Sequence, residues 1–227
     1  MNNQYVPLTL LIVAIINAVI HWNAILNNNK MMVRLSKCPF CLIMGLFLFV
    51  SLEETPIVFI LGYIFSFLGD FFLLFEGNIF LVGMLSFGLA HICNAYAFIS
   101  VSALAFEWIG IFVFILVFIY WTILKNYTIL PEYMRKIVYG YLTIISIGFY
   151  GSVCLFNNAQ WTLSSRLVVL IGYLFFILSD SILGVSLWVK TNSFIRFLVM
   201  FTYYIAQFLL GLGYVLGLNE NQSLIPI

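Results

Sequence analysis

Two aspartates lie inside long apolar stretches and share one local frame. Asp70 closes Gly62-Tyr63-Ile64-Phe65-Ser66-Phe67-Leu68-Gly69-Asp70, and Asp180 closes Gly172-Tyr173-Leu174-Phe175-Phe176-Ile177-Leu178-Ser179-Asp180. Five of the nine positions are identical, at an offset of 110 residues (180 minus 70). An ionisable side chain in hydrocarbon costs several kcal/mol, so each is a functional candidate by default. Two carboxyl groups in one low-dielectric pocket cannot both ionise cheaply, which leaves a proton donor beside a carboxylate. That pairing suits reactions that begin with protonation and pass through a cation, such as hydrolysis of acetals and enol ethers. The plainer reading is that the acids hold helices together by bonding Ser, Tyr or Gln partners.

Other polar residues recur near these two. Ser66 lies one turn before Asp70, and Tyr63 and Tyr173 each precede an acid by seven residues, so all three share a helical face with it and are candidate donors to it. His91 has Asn94 three residues on, and Tyr203 has Gln207 four residues on. For His91, a structural hydrogen bond and a part in catalysis both fit. Asn17 and His21 form an i,i+4 pair expected to act as packing glue between helices. Cys38-Pro39-Phe40-Cys41 has C-x-x-C spacing, but a redox or metal role needs a thioredoxin-like context or a second ligand pair. It reads as an apolar helix start that holds two thiols. Cys93 and Cys154 read as packing residues. Asp70, Asp180, His91 and His21 could in principle ligate zinc, but catalytic zinc usually takes two or three histidines at helical spacing and no H-x-x-x-H is present. No metal is expected.

These residues need elements that can carry them through a bilayer. The 227 residues are 64% hydrophobic and 7% charged. A soluble domain carries about 25% charged residues, so this chain must be an integral membrane protein. A net charge of +1 gives no support for nucleic-acid binding. About 20 apolar residues cross the roughly 30 Å hydrocarbon core. This predicts an all-α bundle of eight transmembrane helices near 7–26, 38–52, 56–75, 79–100, 103–124, 136–156, 166–188 and 195–217, forming one domain. The first span has no basic stretch ahead of it and no small-residue cleavage site after it, so it is expected as a span, not a cleaved leader.

Charge placement tests the count. With eight spans, Lys30, Arg34, Lys37, Lys125, Arg135, Lys136, Lys190 and Arg196 fall on one side and only Arg166 on the other. The basic side is then cytoplasmic and both termini are non-cytoplasmic. Glu53, Glu54 and Glu220 lie on the side of the termini, and Glu107 falls near a span end. The turn at Glu76-Gly77-Asn78 and the loop from Lys125 to Lys136 separate spans. Asp70 lies 14 residues past Pro56 and Asp180 14 past Arg166, roughly 21 Å from the non-cytoplasmic side in each case. The repeated frame predicts two parallel four-helix repeats. A fainter echo aligns Met84, Phe87, Ala90 and His91 with Met200, Tyr203, Ala206 and Gln207 at an offset of 116. Parallel repeats place sites between halves.

The chain resembles the YhhN-like lysoplasmalogenases in a series of short segments. They are Lys37-Cys38-Pro39, Phe65-Ser66-Phe67-Leu68-Gly69-Asp70, Phe87-Gly88-Leu89-Ala90-His91 with Tyr96, the Gly172–Asp180 frame, and Tyr203-Tyr204-Ile205-Ala206-Gln207. Cys38 is a departure, since the family usually has Lys directly before Pro. The resemblance implies a hydrolase that splits the vinyl ether of a lysoplasmalogen to a fatty aldehyde and a glycerophospho-base. It also implies two essential aspartates and no organic cofactor. The partners expected are the lysophospholipid substrate and the bilayer, in the endoplasmic reticulum of a eukaryote or the cytoplasmic membrane of a bacterium. Lys30, Arg34 and Lys37 could hold the substrate phosphate by charge-assisted bonds, and His91, Tyr203 and Gln207 would orient water or headgroup. Three other readings compete: a metal-dependent membrane hydrolase, a proton-coupled transporter built on repeated halves, and a structural scaffold.

Overall fold

The structure is a computed structural model that describes residues 5–54, 56–75, 79–102, 115, 118, 119, 122, 132–186 and 192–223. Among these residues the secondary structure is helical throughout. With no water in the bilayer core, backbone polar groups must be satisfied within each segment, and a helix does this. The helices are α1 (Tyr5–Leu26), α2 (Lys30–Lys37), α3 (Pro39–Ser51), α4 (Ile57–Phe72), α5 (Ile79–Val101), α6 (Glu132–Cys154), α7 (Leu163–Ser186) and α8 (Ser193–Ser223). Among the described residues six stretches are long and apolar enough to cross a membrane, and α4 is a shorter apolar helix. The protein is therefore an integral multi-pass membrane protein. The expected fifth span near 103–124, with Glu107, lies almost wholly outside the described residues. So do the turn at Glu76-Gly77-Asn78, Lys125 and Lys190.

Local chemistry explains the breaks. Asn28 adopts a left-handed φ of 54°, a conformation Asn tolerates at a helix C-terminus. Asn29 then caps α2, its side chain accepting from the Met32 N–H at 3.1 Å. Pro39 opens α3, where its missing N–H costs nothing. The second span was expected at 38–52. The apolar helix is instead preceded by α2, and the stretch long enough to cross is Lys30–Ser51. Lys30, Arg34 and Lys37 are thus helical residues and not a loop. The hydrophobic pattern missed α2 because its apolar and basic residues alternate by face.

Each helix sorts its faces. On α1, Leu8, Ile12, Ile15 and Val19 point outward, while Ala14, Ala18, His21 and Ile25 are buried. Small residues let helices approach closely. A Cβ on Gly62 would lie 2.6 Å from Asn94 Oδ1 and 3.5 Å from the Ala90 carbonyl oxygen. A Cβ on Gly172 would lie 3.0 Å from Leu210 N and 3.2 Å from the Ala206 carbonyl oxygen. Gly62 and Gly172 are offset by 110 and Ala90 and Ala206 by 116, so α4 rests on α5 as α7 rests on α8. Side-chain clamps fix the ends. Ser193 Oγ and Arg196 Nη2 donate to Asn28 Oδ1 at 2.6 and 3.0 Å, joining the start of α8 to the α1–α2 turn. Asn158 Nδ2 donates to the Val101 carbonyl at 2.7 Å, joining the end of α5 to the turn after α6.

Candidate active site

Asp70 sits in the last turn of α4, where the backbone carbonyls disfavour an anion. Three groups from other helices face it. Tyr203 of α8 donates its hydroxyl to Asp70 Oδ2 at 3.1 Å. Cys41 of α3 lies 3.6 Å from the same oxygen and 3.1 Å from the Tyr203 hydroxyl. Lys37, the last residue of α2, brings its Nζ within 3.5 Å of Oδ1. The side chains are sealed to 2% exposure for Asp70 and 12% for Lys37. A buried pair of this kind holds only when hydrogen bonds occupy the remaining lone pairs, and Tyr203 and Cys41 supply them.

A second layer holds the first. Gln207, one turn from Tyr203, donates from Nε2 to Ser66 Oγ at 2.9 Å and to the Tyr203 hydroxyl at 3.3 Å. Tyr63 donates to the Gln207 carbonyl at 2.6 Å. Tyr63 and Ser66 therefore act on α8, not on the acid of their own helix. Tyr63 is two turns from Asp70, and Ser66, one turn away, instead accepts from Gln207 of the facing helix.

Asp180 of α7 has its own set. Tyr141 of α6 donates to Asp180 Oδ2 at 2.9 Å. His91 of α5 brings Nε2 within 3.5 Å of that oxygen without making a hydrogen bond to it. We read it as an electrostatic contact. Tyr173 lies 2.6 Å from His91 Nδ1 and does not reach the acid directly. The Asp180 side chain is 14% exposed while His91 is fully buried.

The two centres follow one plan. Apart from Lys37 of α2, which has no counterpart at Asp180 among the described residues, Asp70 takes one neighbour from α3 and one from α8, and Asp180 takes one from α6 and one from α5. Among the described residues no hydrogen bond or ion pair joins the two carboxylates. Phe176 links their surroundings, with its ring 4.5 Å from that of His91 and 5.5 Å from that of Tyr203. Phe87 meets Tyr203 edge-on at 5.8 Å.

Of the residues singled out in the sequence, Lys37, Ser66, Asp70, Tyr203 and Gln207 form one network, and His91 and Asp180 the other. Asn94 does not join either; its Oδ1 fills the notch at Gly62. His21 bonds Ser36 Oγ at 2.9 Å through Nδ1, tying α1 to α2. Asn17 Oδ1 is buried without a hydrogen-bond partner, so the expected Asn17–His21 pair is not made through that oxygen. Cys41 and Tyr141 were missed. Cys41 follows Lys37 by four residues, a spacing that places it on the same helical face, and that was the available signal. Tyr141 carries none, since its contact with Asp180 spans 39 residues. None of the four cysteines forms a disulfide. Among the described residues no group of three His, Cys, Asp or Glu side chains could hold a metal ion.

No curated protein and no solved structure matches the chain. The family model described as the YhhN family matches residues 32–214, a stretch that contains both carboxylate networks from Lys37 to Gln207. The chain belongs to the YhhN family.

Proposed function

We propose that the protein is an intramembrane hydrolase that cleaves the vinyl ether of lysoplasmalogens. The observation that carries this reading is the pair of intramembrane carboxyl groups, each furnished with hydroxyl or imidazole groups from other helices. Asp180 is the more open acid and, among the described residues, has no Lys or Arg paired with it, so it is the proton donor to the vinyl carbon that bears no oxygen. The electron pair of the double bond forms the new C–H bond and leaves an oxocarbenium ion. Asp70, kept in place by Tyr203 and Cys41, stabilises that cation and takes a proton from the attacking water. The hemiacetal then collapses to a fatty aldehyde and a glycerophospho-base. Lys37, with Lys30 and Arg34 on the turns before it, supplies charge-assisted bonds to the phosphate.

The membrane topology belongs to the same reading: eight spans, two parallel four-helix repeats, and both termini non-cytoplasmic. Two observations support it. The α4–α5 and α7–α8 contacts repeat with their glycines in register. Helices α5 and α6 run parallel, with Gly88 facing Ile144, Gly148 facing the His91 carbonyl and Gly151 facing Ala95, as an eight-span count requires of the fourth and sixth spans.

The test is chemical selectivity. Purified protein given an alkenyl lysophosphoethanolamine is expected to release free aldehyde, and none from the saturated alkyl ether. A second reading, a proton-coupled carrier, draws on the buried Lys37–Asp70 pair. Uptake of lysolipid into proteoliposomes without any aldehyde would favour it and contradict the hydrolase.

A further inference from the structure

The Tyr173 hydroxyl constrains which nitrogen of a neutral His91 carries the proton. A phenol has one hydrogen, and the Tyr173 hydroxyl lies 2.6 Å from His91 Nδ1. If Nδ1 carried the proton, the Tyr173 hydrogen would have no acceptor shown for it. If Tyr173 donates, its hydrogen has an acceptor and Nε2–H lies on the side of Asp180, in electrostatic contact at 3.5 Å. The hydroxyl is seated over Gly148 of α6, where any Cβ would overlap it. His21 shows the opposite arrangement. Ser36 donates its only hydrogen to the Met32 carbonyl, so Ser36 Oγ accepts from His21 and the proton of His21 is on Nδ1.

We propose that Tyr173 is a positioning residue for the Asp180 centre: its hydroxyl, held over Gly148, fixes the tautomer and orientation of His91 so that Nε2–H faces the carboxylate. Gly148 is the steric condition for this arrangement. The kinetic part rests on the hydrolase reading, and the tautomer part does not. A second-layer donor that sets an imidazole's tautomer is a recurrent device wherever histidine serves a carboxylate or a metal.

The experiment uses the full chain in detergent micelles, labelled with ¹⁵N-histidine. There are two histidines, and His91→Gln assigns their resonances. The expected spectrum shows His21 protonated on Nδ1 and His91 on Nε2. In Tyr173→Phe the His91 Nδ1 signal moves to that of a free acceptor while His21 is unchanged. Tyr173→Phe and Gly148→Ala each lower kcat for aldehyde release roughly tenfold, one hydrogen bond's worth, with KM within about twofold. His91 found protonated on Nδ1 would overturn the proposal whatever the activity. Wild-type kcat in both variants would overturn the positioning role with the tautomer intact. A wild type that releases no aldehyde would remove the hydrolase reading and the positioning role together, and would leave only the tautomer.

Discussion

At the residue scale, each carboxylate is defined by what faces it. Lys37 and Asp70 are a buried ion pair at 3.5 Å, and removing one partner leaves a charge stranded, a penalty of about 3–5 kcal/mol before discounting for the partial exposure of Lys37. Lys37→Met is therefore expected to lower the thermal midpoint in detergent. Lys37→Met with Asp70→Asn should recover most of that loss, since no charge then remains. A double variant no more stable than the single one would contradict the pairing. Tyr141→Phe removes the 2.9 Å bond to Asp180 and is expected to reduce kcat about tenfold at unchanged KM. Unaltered turnover would show that Tyr141 only packs. The acids were legible because charge in an apolar run is conspicuous. Tyr141 was not, because one more tyrosine among 13 has no local signature. Cys41 was read with Cys38 as an incidental pair, yet its contacts are with Asp70 and Tyr203, 29 and 162 residues away.

At the element scale, helix approach is set by glycines in equivalent places. Gly172 presses on the α8 backbone, with Leu210 N 3.0 Å from a built Cβ. Gly172→Val should destabilise the bundle by about 1–3 kcal/mol through overpacking. Gly184, on the same helix, has nothing within 4 Å of a built Cβ, and Gly184→Ala should be neutral or stabilising by up to about 1 kcal/mol. Thermal unfolding of both variants in one detergent checks the pair, and equal midpoints would contradict the packing. Most helix positions follow from hydropathy and from Asn and Pro punctuation, as at Asn29 and Pro39. The short amphipathic α2 escaped, because a window tuned to apolar length passes over Lys30, Arg34 and Lys37. The faint echo of α5 in α8 acquires physical content in the Gly62–Ala90 and Gly172–Ala206 contacts, which sequence identity alone could not supply.

At the scale of the whole molecule, the bundle gathers seven of its helices into two polar centres joined by Phe176. Asp70 is closed in by α2, α3 and α8, and Asp180 by α5 and α6. On the proposed hydrolase reading, a lipid entering laterally would meet acid, imidazole and cation without leaving the bilayer. The clamp from Arg196 to Asn28 holds two basic segments on one face, in keeping with a cytoplasmic basic side. Epitope tags on both termini should accordingly be labelled from the non-cytoplasmic side of sealed vesicles, and labelling from opposite sides would break the even span count. The central claim, that an intramembrane carboxyl pair hydrolyses a vinyl ether, has one direct measurement. Purified wild type and its Asp180→Asn variant are given an alkenyl lysophosphoethanolamine, and free aldehyde is assayed over time. Aldehyde is expected from the wild type, and a rate about 10²–10⁴-fold lower in the variant. Equal rates, or no aldehyde from a folded wild type, would contradict it.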